Sequence, residues 1–132
     1  NLNHPLVSNW KLLGLGIVVE NVEKASEYYL ELGFTLSPSL KEYEFPNIFS
    51  SQIEVGPIVF EFLKPTNTSS IYQDCFDQRG EGITDFIYLV DDLKAEIEKL
   101  NQNGVNLIDS NTDFAILDTR KEGNILTRLI QS

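Results

Sequence analysis

The chain has 132 residues, 42% hydrophobic and 23% charged, which sizes it for one domain or two small halves sharing a core. Lys and Arg number 10 against 20 Asp and Glu, and the net charge of -10 argues against a nucleic-acid binder or a docking site on an anionic membrane. One Cys and one His exclude an internal disulfide, a Cys-rich zinc module and a multi-histidine metal site within the chain.

No apolar run reaches the roughly 18–20 residues of a membrane-spanning helix. Asn1 to Trp10 lacks the basic start and apolar stretch of a signal peptide. With a lone Cys, this predicts a cytoplasmic protein. The chain contains no Met, so residues upstream of Asn1 are expected.

The first predicted element is a buried strand over Leu12 to Val19, a short apolar run. Asn21 is a good N-cap, because its side-chain oxygen can accept from the free N–H groups of a first turn. Val22, Ala25, Tyr29 and Leu32 fall at helical spacing, and Gly33 supplies the stop. Strands are predicted over Phe34–Leu36, Ile48–Val55 and Ile58–Leu63, followed by a polar loop from Thr66 to Ser70.

The second half repeats this order. A strand over Ile83 to Val90 leads to the cap Asp91-Asp92, a helix over Leu93 to Gln102, and the stop Gly104. Strands over Val105–Ile108, Phe114–Leu117 and Ile125–Ile130 complete it. One offset of 71 residues separates Asn21 from Asp92 and Gly33 from Gly104, which is a repeat signal. The predicted fold class is therefore α+β, with paired βαβββ modules over 12–65 and 83–131, a linker over 66–82, and a single domain over 1–132. Two curved half-sheets facing each other predict a cup-shaped mixed sheet with the ligand site in its mouth.

Several residues read as structural. Arg79-Gly80-Glu81-Gly82 is predicted as the crossover between modules, with Arg79 at the rim. Cys75 is expected to be a packed thiol and His4 a solvated residue. Trp10 is expected to pack across a seam or at a dimer contact.

Repeated βαβββ units, the opening Leu13-Gly14-Leu15-Gly16-Ile17-Val18-Val19 with Glu20-Asn21-Val22, and Arg79-Gly80-Glu81-Gly82-Ile83 before Val90-Asp91-Asp92-Leu93 resemble the vicinal oxygen chelate superfamily. This is the glyoxalase I, bleomycin resistance and extradiol dioxygenase group, and the closest pattern is that of methylmalonyl-CoA epimerases. Asn103-Gly104-Val105-Asn106-Leu107-Ile108-Asp109 continues the likeness. The resemblance implies four metal-ligand slots, two in each half. In this chain they hold Gly14, Glu61, Asp85 and Arg128, where metal-dependent members carry a His, a ligand on the last strand of the first half, a His and a Glu. The metal-ligand set is not kept, so neither a metal nor another cofactor is expected.

Arg128 brings a fixed positive charge to a slot where a dication would sit. It is the expected ligand-binding residue, together with Glu61 and Asp85, and with Tyr43, Phe49 and Phe60 as contacts. Glu61 and Asp85 are the catalytic candidates, as general bases. Two other readings of these three stay open: an inert buried ion pair, and an oxygen-liganded Mg or Ca site on Glu61 and Asp85. The expected function is small-molecule binding without the usual metal, by a homodimer with no nucleic-acid or membrane partner. One alternative is a metal-dependent lyase or isomerase similar to methylmalonyl-CoA epimerase or glyoxalase I. The other is a drug-binding resistance protein of the bleomycin type, whose acidic charge would steer a cationic ligand.

Overall fold

Two side-chain caps start the two repeated helices. Asn21 has an extended backbone, and its Oδ1 accepts from the Lys24 N–H at 2.9 Å. Asp92 does the same for the Ala95 N–H at 3.1 Å. Each cap satisfies one of the first-turn donors that a helix leaves unpaired. Gly33 and Gly104 follow the two helices with φ of 106° and 74°, which a residue bearing a Cβ rarely adopts. The repeat read from the sequence is thus a repeat of helix start and stop chemistry.

The computed structural model describes residues 9–37 and 48–132. The elements are β1 (Lys11–Val18), α1 (Val22–Glu31), β2 (Thr35–Leu36), β3 (Ile48–Val55), β4 (Ile58–Pro65), α2 (Ile71–Arg79), β5 (Gly82–Val90), α3 (Leu93–Gln102), β6 (Leu107–Ser110), β7 (Phe114–Leu117) and β8 (Leu126–Gln131). Strands and helices together make an α+β architecture of two βαβββ modules, as expected.

The chain forms two compact units, residues 14–85 and residues 86–132 with the N-terminal residues through Leu13. In the first unit the strand order is β2-β3-β4-β1. β2 and β4 run antiparallel to β3, and β1 runs parallel to β4. Helix α1 lays Val22, Ala25 and Tyr29 on Ile53, Phe60 and Phe62. In the second unit the order is β5-β8-β7-β6, with β7 antiparallel to both its neighbours. Helix α3 lays Leu93, Ile97 and Leu100 on Val90, Ala115, Leu117 and Leu129. Both helices bury one apolar stripe against one face of a sheet.

Trp10 packs within the second unit. Its Nε1 donates to Glu96 Oε1 at 2.8 Å, and its ring lies 5.4 Å from that of Tyr88. The packing expected across a seam is replaced by packing on α3. After β7, Arg120 grips Asp118 through two side-chain bonds of 2.9 Å. Those bonds hold the Asp118 carboxyl below the usual carboxylate range, against the opposing effect of partial burial.

Two departures from the sequence reading have local causes. The expected linker over 66–82 contains α2, whose N-cap Ser70 accepts from the Tyr72 N–H at 3.2 Å. Its apolar residues are too few for a clear helical stripe; Tyr72 and Cys75 are buried. β6 starts at Leu107 because the Val105 N–H is spent on the Leu100 carbonyl, closing α3. Among the described residues no helix is long and apolar enough to cross a membrane.

Candidate functional site

Strand alternation sends neighbouring side chains to opposite faces, so each sheet has a face away from its helix. In the first unit that face carries Ser50 and Gln52 on β3 and Glu61 on β4. Gln52 pairs directly with Glu61 across the antiparallel strands, and Gly16 of β1 pairs with Glu61 on the other side. Glu61 is fully buried and Gln52 is 4% exposed. The Gln52 Nε2 donates to Ser50 Oγ at 2.9 Å.

Asp85 on β5 is also fully buried. The Tyr72 hydroxyl donates to its Oδ2 at 2.6 Å, and the Thr84 hydroxyl donates to its Oδ1 at 3.0 Å. The shorter distance is at the tight end of O–H···O hydrogen bonds. Helix α2 therefore fixes the orientation of a buried carboxylate. Tyr72→Phe is expected to cost about 1–3 kcal/mol, the penalty for taking a donor from a buried acceptor. Urea unfolding checks this, and an unchanged midpoint would show that the bond is not made in solution.

The crossover expected at Arg79 to Gly82 is fastened within the first unit. An Arg79 guanidinium N–H donates to the Ile83 carbonyl, and Glu81 Oε2 accepts from the Glu20 N–H at 3.0 Å. In the second unit, Arg128 on β8 pairs with Ile116 of β7. Its neighbour Leu129 belongs to the α3 core, so Arg128 points to the face away from that helix. It is the largest fully buried side chain among the described residues.

Phe60 and Phe49 do not share the face of Glu61. Phe60 joins the α1 cluster, with its ring 6.2 Å from that of Tyr29. Phe49 lies on the same side of the sheet and is half exposed. The reason is alternation: a residue next to Glu61 in the strand must point the other way. Tyr43 lies outside the described residues. Sequence reasoning missed Gln52, Tyr72 and Thr84. The alternating polar residues Ser50, Gln52 and Glu54 were the available signal for the first, and the Ser70 cap for the second.

The four ligand slots implied by the resemblance do not fit a metal. Gly14 pairs with Val59 on β4, and a Cβ added to it would lie 1.9 Å from the Val59 carbonyl oxygen. That is half an ordinary van der Waals contact, so no side chain enters there without moving backbone. Arg128 fills another slot with a buried cation. Among the described residues no three His, Cys, Asp or Glu side chains converge as a metal-binding group.

Comparison with known proteins agrees with the module repeat. Methylmalonyl-CoA epimerase from Mycobacterium tuberculosis shares the fold at a TM-score of 0.75 and 24% identity, over 99% of this chain and 92% of that one. A hypothetical protein from Bacillus halodurans C-125 aligns at a TM-score of 0.72 and 23% identity, over 93% and 94% of the two chains. A Streptomyces coelicolor methylmalonyl-CoA epimerase variant in complex with 2-nitronate-propionyl-CoA aligns at a TM-score of 0.71 and 16% identity, over 92% and 94%. No curated protein matches the sequence. The family profile that matches spans residues 14–120, the first module and the second through β7, and by it the chain belongs to the Glyoxalase/Bleomycin resistance protein/Dioxygenase superfamily.

Proposed function

We propose that this protein binds a small carboxylate or enolate-bearing molecule without the metal used by other members of its superfamily, with Arg128 supplying the fixed positive charge. The observation that carries this reading is the complete burial of a guanidinium on the final strand, at the position to which the resemblance assigns a metal-binding Glu. A guanidinium cannot be neutralised by deprotonation and binds two oxygens at once through parallel N–H donors. In a desolvated site its attraction for an anion is several-fold stronger than in water. Asp85, held by Tyr72 and Thr84, serves as a fixed carboxylate.

The test is calorimetric titration of the metal-free full chain with propionate and succinate. The expected result is saturable binding that Arg128→Lys weakens by about 10-fold or more, since a point charge replaces a bidentate fork. Binding that requires a stoichiometric divalent ion would overturn this reading in favour of a metal-dependent lyase or isomerase similar to methylmalonyl-CoA epimerase. Tight binding of a cationic glycopeptide in place of the carboxylates would favour the drug-binding alternative.

A further inference from the structure

We propose that Asp109 closes the outer edge of β6 to strand addition by a second copy of this chain, by holding an outward-facing backbone N–H of its own strand. The inference stands apart from the carboxylate site. β6 is the last strand of the second unit and pairs with β7 alone among the described residues. Such a strand presents backbone donors and acceptors that another extended chain can pair with. The outer strand of the first unit, β2, has two residues and is guarded by its shortness. β6 has four, so its edge needs another device.

The register shows which groups face outward. The Asn111 N–H donates to the Phe114 carbonyl at 2.9 Å, so these two residues form a hydrogen-bonded pair that closes the β6–β7 turn. Antiparallel ladders alternate bonded and non-bonded pairs. Ser110, opposite Ala115, is therefore a non-bonded position, and its N–H and C=O point away from β7. That N–H donates to Asp109 Oδ1 at 2.9 Å. A carboxylate oxygen only accepts, so it fills the donor that an incoming strand would need. Next to it, Ile108 has no residue opposite, because the register jumps from Leu107–Leu117 to Asp109–Ile116. Ile108 is 37% exposed, and Asp109 and Ser110 are exposed beside it. Without the carboxylate, this edge would join a β-branched apolar side chain to a released N–H and C=O, the combination that templates strand pairing. The occupant it fits is the same strand of a second copy, since an antiparallel β6–β6 pair about a two-fold axis uses one patch on both chains.

The experiment is size-exclusion chromatography with light scattering on the full chain, over a rising series of concentrations. It is run on wild type, Asp109→Ala, Asp109→Asn and the double variant Asp109→Ala with Ser110→Pro, with a thermal melt of each. Asp109→Ala is expected to reach about twice the wild-type mass as concentration rises, the outcome of two-fold pairing. Asp109→Asn keeps an acceptor oxygen and should match wild type. Adding Ser110→Pro removes the N–H itself and should return the alanine variant to the wild-type mass. Asp109→Val supplies the same test if the alanine variant fails to fold. An unchanged mass in Asp109→Ala and Asp109→Val at every concentration would overturn the proposal. Association of Asp109→Asn to the same extent as Asp109→Ala would also overturn it, since the charge alone would then be the guard. So would association that persists in the double variant, which would place the contact away from Ser110.

Discussion

Arg128→Ala is expected to lower the unfolding free energy by about 3–5 kcal/mol, the cost of breaking a buried charge arrangement from one side. The side chain is fully buried and is the largest so placed among the described residues. A buried cation persists only where surrounding groups compensate it, so its removal leaves those groups uncompensated and opens a cavity. Arg128→Met separates the two contributions, because it refills most of the volume without the charge. Both variants are expected to shift the urea midpoint downward with an unchanged slope, the signature of a stability change alone. Recovery of most of the stability in Arg128→Met would assign the loss to volume. A loss below about 1 kcal/mol in Arg128→Ala would show that the guanidinium is solvated, and the proposed function would lose its main support.

The second large effect is expected at Gly14. Gly14→Ala should cost about 3 kcal/mol or more, toward the upper end of what overpacking does. A Cβ there would meet the Val59 carbonyl oxygen at 1.9 Å, and the opposing atom is backbone in a paired strand, not the movable tip of a side chain. For the same reason Gly14→His should gain no affinity for Zn²⁺ or Co²⁺ over wild type. Chemical unfolding and metal calorimetry on the two variants check both statements. A stable Gly14→His protein that binds Zn²⁺ would show that the strand pair yields, and that the slot had only lost its ligand.

These two positions also show what could be read from the sequence. The caps Asn21 and Asp92 and the stops Gly33 and Gly104 act through local backbone chemistry, so they were legible without any knowledge of packing. Glu61 and Arg128 were legible because each interrupts an apolar strand, and both prove fully buried. The close approach of Gly14 to Val59 was not legible, since it depends on a parallel pairing of residues 45 positions apart. Helix α2 escaped because a short helix with a weak apolar stripe resembles a polar linker. Phe60, expected as a ligand contact, packs toward α1 for a simpler reason: Phe60 and Glu61 are consecutive and cannot share one face.

The grouping of residues through Leu13 with residues 86–132 has a consequence for how the chain is made. The ribosome releases Trp10 early, yet its partner Glu96 lies 86 positions later. The N-terminal end of β1 must therefore wait, solvated, while the whole intervening unit emerges and can already fold. The entropic cost of closing so long a loop grows only slowly with its length, so the early start of Trp10 is no large obstacle to its late partner. Trp10 is the only tryptophan of the chain, so its fluorescence reports its docking on Glu96 and Tyr88 and not the assembly of residues 14–85.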